Sequence, residues 1–166
     1  MIKKLSPLTK FWIVFILTSS LYMRQLMEFG FSQIGREGVF LLTWLLFVLL
    51  GWLLLRVTKG VSRKSLTWLV LLFLLGVLFA ASLEIKQERV HLFLYGILGW
   101  LFSHDFKKNT KRRPFLAAVI ACLLTSMLSE FIQLLLPFRV GDLRDIAFDT
   151  SAGLWGALLF LIQERK

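Results

Sequence analysis

Cysteine is nearly absent from this chain. Cys122 is the one thiol among 166 residues, so neither an intramolecular disulfide nor a thiolate metal cluster can form within it. Placed mid-run in "IACLL", it reads as a small buried hydrophobe. Acidic residues are scarce too, ten against twenty Lys and Arg, which leaves a formal charge of +10. The sequence also lacks an Asp-Asp-x-x-Asp cluster, a Ser or Cys nucleophile with an evident base beside it, and a visible inverted repeat. The first two absences weaken metal-dependent and covalent catalysis, and the third leaves a transporter without its second gate.

What is abundant is apolar surface. With 57% hydrophobic residues and a mean hydropathy of +0.74, the chain holds more than a soluble core of this length can bury. This predicts an all-α polytopic transmembrane bundle of about six spans, one domain over residues 1–166. Two runs are uninterrupted, Val39 to Leu55 and Leu66 to Leu83. Four carry polar residues: Phe11 to Met27 with Arg24, Val90 to Ser103 with His91, Phe115 to Leu136 with Glu130, and Ile146 to Ile162 with Asp149. Lys3 and Lys4 before a short apolar stretch also fit a secretory signal. No small-residue cleavage site follows cleanly, so the first run is read as a helix.

A basic total can signal nucleic acid, and the placement of the charge decides. With the N-terminus inside, the inner segments collect 14 of the 20 basic residues, among them Arg56, Arg63, Lys64 and the run "KKNTKRRP". The outer half collects eight of the ten acidic residues, among them Glu28, Glu37, Glu84 and Glu88. Charge polarised in this way predicts both termini on the cytoplasmic side and no nucleic-acid partner. The inner basic loop then meets anionic lipid head groups, which makes membrane lipids the expected partners.

The polar residues left over fall at the outer ends of the predicted spans. Glu88, His91 and Tyr95 stand at i, i+3 and i+7, as do Asp142, Asp145 and Asp149, while Glu130 and Gln133 are three apart. With Arg139 and Arg144 in the last outer loop, these make a candidate ligand site. Glu130 and His91 are its candidate acid and base, the arginines could clamp a phosphate, and the carboxylates leave a divalent cation as a weakly signalled option. Each group also has a plainer reading. Glu130 could pair with Arg139 or Arg144, His91 and Tyr95 could sit in an interfacial belt, and Asp142, Arg144 and Asp145 could be a solvated loop. Gly96, Gly99, Gly153 and Gly156 read as helix-packing positions, the six Trp residues as interface anchors and filling, and Pro137 as the end of the fifth helix.

"SEFIQLLLPFRVGDLRDIAFDTSAGLWGALL" resembles the C-terminal signature of the VanZ-like family of bacterial membrane proteins. In that signature a Glu-x-x-Gln helix precedes an Arg-Val-x-Asp-x-x-Asp loop and a Gly-rich last helix. "ERVHLFLYGILGWL" is similar to the family's upstream Glu-x-x-His-x-x-x-Tyr-Gly segment. Phe11 to Leu83 matches nothing beyond hydrophobicity, and Asp149 stands where family members often have Asn. The resemblance implies a bacterial cytoplasmic-membrane protein in a family whose founding member is associated with low-level teicoplanin resistance. Three functions are consistent with it. One is binding of a lipid-linked envelope precursor or a glycopeptide at an outward-facing site. The others are a membrane-embedded hydrolase or transferase acting on a phosphate-bearing lipid, and a purely structural bundle or transporter.

Overall fold

The computed structural model describes residues 5–58, 61–83, 88–109, 113–136 and 142–164. Pro137, Arg139 and Gly141 lie outside the described residues, as do the side chains of Arg24 and Glu88. All regular structure among the described residues is helical. Five elements follow in order: α1 Pro7–Val57, α2 Arg63–Ser82, α3 Glu88–Asn109, α4 Pro114–Leu134 and α5 Leu143–Gln163.

The first two predicted spans are one element, folded back on itself at Gly35. That residue has φ 72° and ψ 167°, a region essentially closed to any residue with a Cβ. Nothing lies within 4 Å of where its Cβ would stand, so backbone geometry and not space requires glycine there. The two halves then run side by side: Gly30 meets Val39, and the Phe31 and Phe40 rings stand 5.9 Å apart across the turn.

Four helical stretches are long and apolar enough to cross a membrane: Glu37–Arg56, Arg63–Ser82, Pro114–Leu134 and Leu143–Gln163. The apolar stretch Pro7–Tyr22 is shorter, and α3 is too polar to join them. The reason for α3 is burial. Leu92, Leu94, Tyr95, Leu98, Leu101 and Phe102 are all buried, while the exposed apolar side chains cluster on α1, α2 and α4. A helix walled by other helices need not be apolar all round, whereas helices facing lipid must be. This is a transmembrane helical bundle with α3 at its centre.

Glycine sets the crossing of α3 on α5. A Cβ on Gly99 would stand 2.0 Å from the Gly153 carbonyl oxygen, and one on Gly156 would stand 1.8 Å from that of Gly96. Small residues thus let two backbones touch, which is how helices associate where lipid supplies no hydrophobic drive. Trp155 is buried instead of anchoring an interface. It lies between Gly76 of α2 and Gly96 of α3 and donates its indole N–H to the Leu72 carbonyl at 2.9 Å.

One end of the bundle is fastened by Asp105. Its carboxylate accepts the Ser6 backbone N–H and the Thr9 hydroxyl, both at 2.7 Å, just where Ser6 caps α1. Burial pushes this carboxyl up, but the bonds from Ser6, Thr9 and His104 outweigh it and hold it below the usual carboxylate range. Lys107 pairs with Glu164 beside it, and Trp100 donates to Gln163 at 3.0 Å. The start of α1 and the ends of α3 and α5 therefore share one face.

Candidate functional site

At the opposite end, α4 presents a polar stripe inward. Ser126, Ser129, Glu130 and Gln133 are all buried, and their i, i+3, i+4, i+7 spacing puts them on one helical face. In lipid such a face must find partners inside the protein. Glu130 is 3% exposed and takes two hydrogen bonds. Gln133 donates Nε2–H to Oε1 at 2.9 Å, and the backbone N–H of Asp142 donates to Oε2 at 3.1 Å. Asp142 is in turn the N-cap of α5, its carboxylate accepting the Arg144 N–H at 2.8 Å. Glu130 thus fixes where α5 begins.

Asp149 is the hub. It is 1% exposed, one oxygen facing His91 Nδ1 at 3.0 Å and the other accepting the Ser126 hydroxyl at 2.7 Å. Three helices meet at this one carboxylate. Opposite a carboxylate Nδ1 is the donor, and Nε2 is the nitrogen turned away from Asp149. The His91 side chain is 36% exposed, so the cluster is not sealed at that edge. Asp145, Asp149 and Glu130 all act electrostatically on His91, and exposed Arg144 acts on half-buried Asp145. Carboxylates thus form the interior, and a guanidinium stands at the rim.

The spacing argument brought together His91, Tyr95, Glu130, Gln133, Asp142, Asp145 and Asp149, and these do converge. Direct pairing differs from the acid and base assignment: His91 bonds Asp149, and Glu130 bonds Gln133 and the start of α5. Arg144 is exposed, Glu88 opens α3, and Arg139 lies outside the described residues. Ser126 and Ser129 were not singled out from sequence, although the four-residue stripe on α4 carried the signal. Among the described residues, no three His, Cys, Asp or Glu side chains are grouped so as to hold a metal ion. Arg89 is a further buried charge outside the cluster, its Nε–H on the Ala80 carbonyl at 2.9 Å and its guanidinium over the Trp44 ring at 5.0 Å.

A family model described as VanZ/LLP1 matches residues 88–164. That segment is VanZ-like. The match runs from the first residue of α3 to just past the last of α5 and so takes in every residue of the cluster. No curated protein and no solved structure matches the chain. The VanZ-like segment is the three-helix unit with the glycine crossing, and α1 and α2 pack around it.

Proposed function

We propose that this VanZ-like membrane protein recognises a lipid-linked envelope precursor or a glycopeptide-type antibiotic at an outward-facing polar site. The observation that carries this reading is the burial of Glu130 and Asp149, 3% and 1% exposed, at one end of a membrane-spanning bundle beside a half-exposed His91. Carboxylates at such depth are costly and mark functional sites. An acceptor-rich interior with Arg144 at its rim suits a head group bearing both hydrogen-bond donors and an anionic part. The test is binding of a lipid-linked precursor and of teicoplanin to the purified protein. Glu130→Gln is expected to lower that binding about tenfold or more, because an amide keeps the shape and loses the charge. Unchanged binding at wild-type melting temperature would remove Glu130 from the site.

This reading includes six crossings with both termini in the bacterial cytoplasm, which the inner basic and outer acidic residues support. In a Cys122→Ala background, a membrane-impermeant maleimide is expected to label Gly141→Cys from outside and to miss Asn109→Cys. The reverse pattern would turn the site inward and sink the proposal.

One observation favours a second reading, a hydrolase or transferase acting on a phosphate-bearing lipid. Asp149 holds His91 Nδ1 at 3.0 Å and leaves Nε2 turned away from it, the arrangement of a general base held in one orientation. Product formed from the lipid in the same binding assay decides for it.

A further inference from the structure

Trp12, Trp100 and Trp155 line a groove of about 270 Å³ on the flank of the bundle, bounded by both halves of α1 and by α3 and α5. Among the described residues, the side chains that line it are all aliphatic or aromatic. Their three indole N–H groups are spent on the protein itself: Trp12 donates to the Leu94 carbonyl at 2.8 Å, Trp100 to Gln163 at 3.0 Å and Trp155 to the Leu72 carbonyl at 2.9 Å. The groove therefore offers an occupant carbon and no hydrogen bond from those indoles. Trp155 and Leu101 in it are buried, while Leu8 and Leu53 are exposed, so it opens at the surface that meets lipid.

Its position adds charge. Leu8 stands in the first turn of α1, just past the Ser6 cap held by Asp105, and Trp100 bonds Gln163 beside the Lys107–Glu164 pair. Both described carboxylates at this end are taken, Asp105 by Ser6 and Thr9 and Glu164 by Lys107. Exposed Arg56 lies one turn beyond Leu53 on the same helical face, and exposed Lys108 lies two turns beyond Leu101. Arg63 and Lys64, also exposed, open α2 at the same end. An apolar slot below a basic rim fits a molecule that is hydrocarbon at one end and anionic at the other. A helix, roughly 10 Å across, does not enter a space of this size, whereas a single acyl chain does.

We propose that the groove seats one acyl chain of an anionic phospholipid whose head group meets Arg56 and Lys108. The proposal does not rest on the outer-site reading, since the groove shares no side chain with the carboxylate cluster.

The experiment uses the full chain in detergent, with phosphatidylglycerol and phosphatidylcholine of identical acyl chains as probes, and native mass spectrometry as the readout. The wild-type protein is expected to retain the glycerol lipid about tenfold better, and Arg56→Gln to lose about fivefold of that preference. Ile97→Trp, which fills the groove from α3, is expected to cut retention of both lipids about tenfold. Leu53→Trp, on the exposed wall, repeats the test should Ile97→Trp fail to fold. Wild-type protein that retains the two lipids equally, or neither, overturns the proposal. So does undiminished retention by a folded tryptophan variant. A dimer that persists when lipid is stripped, and that the tryptophan variants break, gives the groove to a second copy of the chain and overturns it as well.

Discussion

Gly156→Ala is expected to remove most folded protein from the membrane. The added Cβ would stand 1.8 Å from the Gly96 carbonyl oxygen, a backbone atom with no rotamer to move into. Close C–H···O contacts run at roughly 3.3 Å or more, so α3 and α5 would have to separate by roughly 1.5 Å. Overpacking that side chains can absorb costs about 1 to 3 kcal/mol. Here the cost should lie at about 3 kcal/mol or above, because two helices must move apart as units. Separation would also strain the 3.0 Å contact between His91 on α3 and Asp149 on α5. Gly99→Ala, with its Cβ 2.0 Å from the Gly153 carbonyl oxygen, should behave alike. Gly51→Ala is the control, since its Cβ meets only the edge of the Phe73 ring at 3.0 Å, which can swing aside. The measurement is monodisperse yield and melting temperature in detergent. Gly156→Ala with the stability of Gly51→Ala would mean that the α3 and α5 backbones do not touch.

How much of this was legible beforehand differs from one element to the next. Glu37–Arg56 and Arg63–Ser82 announce themselves, because helices that face lipid must be apolar over their whole length. The short, interrupted look of α3 is the opposite signal. Its His91, Ser103 and Asp105 are tolerated because other helices surround it, and burial by neighbours cannot be read from one segment. Gly35 was equally silent: a positive φ leaves no mark beyond the glycine itself. Among the site residues, Glu130, Gln133 and Asp149 stood out as polar groups in apolar runs. Ser126 and Ser129 did not, since serine in such helices commonly bonds its own backbone, as Ser19 does to the Ile16 carbonyl here. Which carboxylate would meet His91 depended on how α3 crosses α5, and hence on Gly96, Gly99, Gly153 and Gly156. Spacing within a helix identifies faces; only packing pairs them.

That pairing makes Asp149 the most informative single position. Replacing it with Leu keeps the branching at Cγ but is bulkier and strips two donors, the His91 Nδ1–H and the Ser126 hydroxyl, of their acceptor. Leaving such groups buried and unpaired costs about 1 to 3 kcal/mol each, so Asp149→Leu is expected to lose about 3 kcal/mol and most of its folded yield. Asp149→Asn should behave differently. Its carbonyl oxygen still accepts one of the two bonds, its volume is unchanged, and its charge is gone. Folding should survive, because the amide fills the same space and keeps one acceptor, and the melting temperature should fall by only a few degrees. Recognition should not survive equally well. If the buried charge is what a donor-rich head group meets, Asp149→Asn will bind it about tenfold less tightly than the wild type at full occupancy of folded protein. Both variants are read by melting temperature and by lipid and glycopeptide binding on the same preparation. An Asp149→Leu protein as stable as the wild type would show that α3, α4 and α5 are not joined at this carboxylate. An Asp149→Asn protein with undiminished binding would show that Asp149 serves as an acceptor for His91 and Ser126 alone, and that the charge felt by a ligand comes from Glu130 and Asp145.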